Sequence, residues 1–163
     1  MKKFIAKLVL VIIIIFAVGY IYFNYIDNGG ALSSAQQEIV ETLGRPEQFA
    51  LTYLPKGSDE GSEFVRQETW FYPSMKRKIS FLNGEIVSTE ELDIKEGVVY
   101  TPTLLKSEDF DFYSTLNKVK KITGNLEPME LPGFFDEGVE TYASSDVMFV
   151  FENGYLTYAE TLD

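Results

Sequence analysis

The sequence predicts an α+β fold: an N-terminal transmembrane helix followed by two helix-plus-antiparallel-strand repeats, which form one sheet with the helices on one face. Three observations lead to this prediction. An uncharged apolar run extends from Leu8 to Ile26, Asn-Gly pairs stand at 83–84 and 153–154 between alternating apolar residues, and the sequence around the second pair repeats that around the first. Asn-Gly in this setting is a strong hairpin signal, because a type I′ turn needs positive φ at both central residues.

The apolar run from Leu8 to Ile26 is 19 residues long. As a helix it would span about 28 Å, which is close to the roughly 30 Å hydrocarbon thickness of a bilayer. Three lysines precede the run and every acidic residue follows it. The positive-inside rule then predicts a cytoplasmic N-terminus and an extracytoplasmic remainder. A cleaved signal peptide is the alternative, with Ala17-Val18-Gly19 as the small residues near its cleavage site.

The predicted domain organisation follows from this run and from the turn-rich residues after it. Residues 1–30 are predicted to be a membrane anchor and linker, with the membrane contacted through residues 4–26. Residues 31–163 are predicted to be an extracytoplasmic domain of a single-pass protein of the cell membrane. Within it, repeat one covers about 33–92 and repeat two about 107–162.

Composition excludes several classes of function. The chain of 163 residues has a formal net charge of −11, which argues against binding to nucleic acid. It contains no cysteine and no histidine, so it lacks thiolate chemistry, disulfides, the commonest general base and the commonest metal ligand. We therefore expect binding or structural work rather than an enzyme, with no catalytic residue, no metal and no cofactor.

Repeat one is predicted to begin with a short helix and to continue in strands. The helix starts at Ser33 or Ser34, where Ser34 and Gln37 fit a capping box, and it stops at Gly44. Strands are then expected at 48–55 and 64–72, and the first hairpin follows.

Repeat two shows the same order of elements. A longer helix is expected from Ser107 to Thr123, with acidic residues in its first turn and lysines in its last, and Gly124 after it. A strand at Val139–Ala143 precedes the second hairpin, and Val98-Val99-Tyr100 is a further candidate strand.

Alignment of the two Asn-Gly turns reveals the repeat directly. When Ser80–Leu92 is paired with Val150–Leu162, five of the 13 positions are identical, whereas average composition would give about one. Upstream, Glu68-Thr69-Trp70 corresponds to Glu140-Thr141-Tyr142. With two-residue loops, one apolar face should receive the helices and should pair Phe81 with Ile86, Ile79 with Ser88, Phe151 with Leu156 and Phe149 with Tyr158. The opposite face is mixed, so water or a partner could contact it.

These motifs resemble the SmpA/OmlA (BamE-like) family and the related β-lactamase inhibitor protein fold. The likeness is carried by Gly44-Arg45-Pro46, Glu68–Tyr72 and Ile79–Val87, with weaker counterparts in repeat two, and it covers about residues 33–163. The resemblance implies a small α+β extracytoplasmic domain that binds other proteins, in the inhibitor case through a concave sheet. The outer-membrane members carry an N-terminal lipidated cysteine, which this chain lacks.

Aromatic residues are the candidate partner-binding groups: Trp70, Tyr72, Tyr142 and Tyr155. Their alternative role, for the first three, is as core residues of the sheet. Glu68 and Glu140 invite the idea of a glycosidase-like carboxylate pair, although inheritance from one ancestral unit explains their repetition more simply. Acidic clusters such as Asp59-Glu60 could offer oxygen ligands to calcium, but none matches an EF-hand loop.

The function predicted from these observations is a membrane-tethered extracytoplasmic protein-binding module. Two alternatives stay open at this point. One is a cell-wall or glycan-binding domain or hydrolase accessory, and the other is a structural subunit of an envelope complex.

Overall fold

The computed structural model describes residues 32–55, 64–94, 98–130 and 138–162. The chain divides into two compact units, Met1–Ala31 and Leu32–Asp163. All described residues belong to the second unit, and the account below concerns that unit alone.

The first half of this unit contains one helix and four strands. Gly44 ends the helix, as predicted, and the first two strands occupy the predicted residues. The elements are α1 (Ser34–Leu43), β1 (Gln48–Pro55), β2 (Phe64–Tyr72), β3 (Arg77–Leu82) and β4 (Glu85–Glu91).

The second half repeats this order with a shorter helix and two shorter strands, while its last two strands match β3 and β4 in length. Its strand at Val139–Ala143 also matches the predicted residues. The elements are α2 (Leu116–Thr123), β5 (Glu127–Pro128), β6 (Val139–Ala143), β7 (Val147–Glu152) and β8 (Tyr155–Thr161). Short 3-10 turns at Pro73–Met75 and Ser107–Asp109 complete the described secondary structure.

All eight strands belong to one antiparallel sheet with the order β4-β3-β2-β1-β8-β7-β6-β5. Each half therefore forms a four-stranded meander. The two meanders join where β1 pairs with β8, with Leu51 opposite Ala159. The sheet is thus continuous from one half to the other.

Both Asn-Gly hairpins form where they were predicted. Asn83 and Gly84 have φ of 49° and 82°, and Asn153 and Gly154 have 52° and 84°, as a type I′ turn requires. One step away from the turn, Phe81 faces Ile86 and Phe151 faces Leu156, again as predicted.

The predicted pairing farther from the turns is wrong. Ile79 lies opposite Thr89, and Phe149 lies opposite Ala159. A β-bulge in each hairpin explains the shift, since Val87 and Thr157 are extra residues without a partner in the ladder. The two bulges occupy corresponding positions in the two halves.

The helices pack on one face of the sheet, which we call the helix face. The buried core there joins both halves through Phe110, which lies between Phe49 and Phe149 at ring-centroid distances of 6.3 and 5.1 Å. Ile39, Val40, Leu116 and other helix residues pack against this core. Because the strand side chains alternate, the residues between the core positions point to the opposite face, which we call the open face.

The fold class predicted from the sequence is wrong. The described residues form mainly a single eight-stranded sheet with two short helices. Among these residues no helix is both long and apolar enough to cross a membrane. The predicted transmembrane helix and signal anchor, at Leu8 to Ile26, lie outside the described residues. They were inferred from the length of an uncharged run and the lysines before it, and the predicted extracytoplasmic location stays a prediction.

The second helix was predicted too long. It begins at Leu116, with Thr115 as N-cap accepting from the Lys118 amide, and residues 107–109 form a 3-10 turn instead. The reason is tertiary: Phe110 and Ser114 are both completely buried. Packing of Phe110 at the centre of the sheet outweighs the favourable charge pattern of a longer helix.

Two smaller predictions also differ from the structure. The capping box of α1 uses Ser33 and Gln36, one residue earlier than predicted. Val98 to Tyr100 form no strand, and Val99 is largely exposed.

Candidate functional site

The open face is the side of the sheet on which no helix of the described residues packs. Its central side chains are partly exposed and are mostly apolar, aromatic or threonine. They come from five neighbouring strands: Ala50, Thr52, Thr69, Phe71, Thr141, Met148, Val150 and Tyr158.

Charged residues on the open face are mostly acidic. Lys78 forms an ion pair of 2.9 Å with Glu90 across the β3–β4 ladder. The remaining acidic side chains have no ion pair among the described residues: Glu85, Glu127, Glu152 and Glu160. Burial, and then the hydrogen bond from its hydroxyl to Glu160, raises the pKa of Tyr158 far above its usual value. The phenol therefore stays neutral and continues to donate at physiological pH.

The structure separates the four predicted partner-binding aromatics. Trp70 and Tyr72 are only 1% exposed and lie in the core beneath the helices, which is the alternative role that the sequence analysis left open for them. Along β2 their side chains point to the helix face, and the side chains of the residues between them point to the open face. Tyr142 is half-buried, also on the helix face, with the Lys120 ammonium 5.8 Å from its ring centre. Tyr155 is 44% exposed and lies at the start of β8, beside Thr115 at the beginning of α2.

Tyr155 belongs to an aromatic cluster that the sequence analysis missed. Its ring stacks on Phe112 at a centroid distance of 5.9 Å, and Phe112 stacks on Phe64 at 3.5 Å. Phe64 and Phe112 are 48 residues apart in the sequence, so no local pattern could have indicated the cluster.

A buried polar network occupies the helix face of the first half, and we call it the polar centre. It consists of Gln36, Tyr53, Arg66, Glu68 and Trp70. The Glu68 carboxylate, 1% exposed, accepts hydrogen bonds from the Gln36 amide and the Arg66 guanidinium, both at 3.0 Å, and from the Trp70 indole. The sequence analysis singled out Glu68 but missed its three donors.

Arg66 links this network to the chain segment before α2. Its guanidinium donates to the Phe110 carbonyl at 2.6 Å, to the Ser107 carbonyl at 2.8 Å and to the Tyr53 hydroxyl. Burial would lower the pKa of Arg66, but the charges of Glu68 and Tyr53 outweigh burial and raise it. Burial raises the pKa of Tyr53 to about 12, against the opposing effect of Arg66. The polar side chains of the polar centre are therefore hydrogen-bonded to one another or to backbone carbonyls, and their role is structural.

Glu68 and Glu140 cannot act as a glycosidase pair in this fold. Glu68 is in β2 and Glu140 in β6, with β1, β8 and β7 between them. Four steps of about 4.8 Å separate the two strands by about 19 Å, whereas glycosidase carboxylates lie about 5–9.5 Å apart. Within the described part of the chain, no group of three or more acidic side chains is arranged to hold a metal ion.

Comparisons with protein-family models, with curated proteins and with solved structures find no match to this chain. The resemblance to the SmpA/OmlA family and to the β-lactamase inhibitor protein fold therefore stays a prediction.

Proposed function

We propose that the unit Leu32–Asp163 is a protein-binding module whose contact surface is the open face of the sheet. The observation that carries this proposal is the combination of a continuous eight-stranded face with partly exposed apolar and threonine side chains at its centre. An uncovered apolar surface of this kind is typical of an interaction site.

The size of the open face supports a protein partner. Seven strand spacings of about 4.8 Å give a width of about 34 Å, and six residues along a strand give about 20 Å. The product, about 700 Å², is close to the roughly 800 Å² that each partner contributes to a standard protein interface.

The charge of the open face indicates what such a partner would present. With Lys78 paired to Glu90, the other charged groups of the face are acidic. A partner with a basic rim around an apolar centre would be complementary, and such complementarity favours rapid and specific association.

The glycan-binding alternative receives less support from the geometry. Sugar-binding surfaces depend on exposed aromatic rings, and the single tryptophan of the chain, Trp70, is buried in the core. In the aromatic cluster around Phe112, ring-on-ring stacking covers part of the ring surface.

Site-specific photo-crosslinking tests the proposal. We expect a crosslinker at Val150 of the full chain to capture a protein that Thr52→Lys prevents from binding, because the new side chain would project from the centre of the open face. Glu41→Lys, on an exposed position of α1, is the matched control and should leave capture unchanged. Circular dichroism would establish that both variants are folded. If Thr52→Lys leaves the amount of captured protein unchanged, the proposal is refuted.

A further inference from the structure

A cavity of about 200 Å³ opens at the end of the open face where β1 begins and β8 ends. Phe49 and Leu92 form part of its lining, and the other six lining residues are two aromatic residues, two carboxylates and two further polar residues. These are Phe71, Tyr100, Asp93, Glu160, Gln48 and Thr161.

We propose that this cavity receives an arginine side chain of the protein partner. The inference rests on the proposed function and deepens it, since it identifies one chemical group that the partner must present to the open face.

The carboxylates of Asp93 and Glu160 indicate a cationic guest. Asp93 is exposed and Glu160 is partly buried. Neither forms an ion pair with any described residue, although Glu160 accepts the Tyr158 hydroxyl. A cation between them would gain charge-assisted hydrogen bonds from a surface that already carries excess negative charge.

The rings of Phe71 and Tyr100 favour arginine over lysine. A guanidinium is planar, stacks on aromatic rings and donates through a fixed fork, whereas an ammonium is a compact and strongly hydrated point charge. The cavity volume fits one side chain, because pockets for whole small molecules usually measure about 300 Å³ or more.

The wall that carries Tyr100 is fixed to the sheet rather than loose beside it. The Thr103 backbone amide donates to the Glu47 carbonyl at 2.9 Å, and the Gln48 side-chain amide donates to the Thr101 carbonyl at 3.4 Å. On the other side, the Leu92 amide donates to the Lys76 carbonyl at 2.9 Å. These bonds preform the cavity, which lowers the entropic cost of ordering a guest there.

The test is a titration of the full isotope-labelled chain with N-acetyl-arginine methylamide, followed by NMR. We expect saturable shifts at Tyr100, Thr161 and the Gln48 side-chain amide. Glu160→Gln should weaken binding about tenfold, since it removes a charge-assisted contact but keeps the acceptor for Tyr158. Asp93→Asn should also weaken arginine binding. This second variant shows whether the loss in Glu160→Gln comes from the missing charge or from a structural change around Glu160. Glu152→Gln, an exposed acidic position elsewhere on the open face, is the matched control.

The neutral isostere N-acetyl-citrulline methylamide should not bind. Equal shifts with citrulline, shifts away from the cavity, or an affinity unaffected by both cavity variants would overturn the inference. If arginine fails to bind while capture still depends on Thr52, the cavity inference fails and the proposed function stands. If the arginine compound binds but crosslinking to a protein is unchanged in Thr52→Lys, the proposed function fails and the cavity is still an arginine site.

Discussion

The two halves of the sheet pair their strands in the same register, but the side chains at matching positions differ in burial. Glu68 faces Phe81 in the first half, and Glu140 faces Phe151 in the second. Glu68 is almost completely buried, whereas Glu140 is exposed. The comparison shows that backbone geometry alone does not decide whether a carboxylate can enter the core.

The difference lies in the hydrogen-bond donors. The position of Gln36, third in its helix, is taken in the second half by Lys118, which pairs with Asp111 at 2.9 Å instead. Arg66 corresponds to Gly138, because the Asn83 amide donates to the Arg66 carbonyl and the Asn153 amide to the Gly138 carbonyl. A buried carboxylate is tolerated only where its lone pairs are satisfied, and only the first half supplies the donors.

The largest expected effect comes from removing the carboxylate in each half. Glu68→Ala should lower the free energy of unfolding by about 3–5 kcal/mol, because it leaves the buried charge of Arg66 and two buried donors uncompensated. Glu140→Ala, at the matching exposed position, should change it by less than about 0.5 kcal/mol. Urea unfolding of both variants measures the difference, and equal losses would show that the polar centre has no special energetic role.

The two turn glycines provide the second test. Both have positive φ, so Gly154→Ala should cost about 1–2 kcal/mol from backbone strain. Gly84→Ala should cost at least about 1 kcal/mol more, because its new Cβ would lie 2.7 Å from the Ser33 Cβ, whereas a Cβ added at Gly154 would meet no other part of the protein within 4 Å. Urea unfolding again gives the comparison. Equal costs would mean that the α1 N-terminus does not pack firmly on the first hairpin.

The smallest effect concerns a buried tyrosine and alkaline pH. Burial raises the pKa of Tyr72 from 10.0 to about 12. Its neutral form therefore contributes stability fully below pH 10, and this contribution is lost as the pH rises to 12. Tyr72→Phe should cost about 1 kcal/mol at pH 7, since it removes the hydrogen bond to the Gly44 carbonyl, and should lessen the decline between pH 10 and 12.

Tyr142 is the matched position for that experiment. It is half-buried, and its hydroxyl is 3.4 Å from Glu140. Burial, and then Glu140, raises the pKa of Tyr142 by less than burial raises that of Tyr72, so Tyr142→Phe should lessen the alkaline decline less than Tyr72→Phe does. In both variants part of the loss of stability at alkaline pH should remain, because the pKa of Tyr53 is also about 12. A Tyr72→Phe profile identical to that of the parent would contradict the assignment.

Local sequence predicted the elements that local physics controls. Asn83-Gly84 and Asn153-Gly154 form the predicted turns because few other residue pairs adopt positive φ twice in succession. The apolar alternation of Gln48–Pro55 and Phe64–Tyr72 placed those strands at the correct residues. Such features depend only on neighbours a few positions away.

The sequence predictions failed where distant residues decide the outcome. The long helix from Ser107 is absent because Phe110 packs between two strands of different halves. The bulges at Val87 and Thr157 shifted the ladder in both hairpins, although an Asn-Gly turn by itself gives no sign of a bulge. The sequence left two roles open for Trp70 and Tyr72, and they are core residues because the helices cover their side of β2.

The sequence by itself determined the two turns, several strand boundaries, the repeated pattern and the acidic, cysteine-free and histidine-free character of the chain. Only the tertiary structure decided that Glu68 enters the core, that β1 joins β8 and that Gln48, Tyr100 and Glu160 share a cavity. The physical reason is range: turns and alternation depend on adjacent residues, whereas burial, donor supply and cavity formation depend on residues brought together from across the chain.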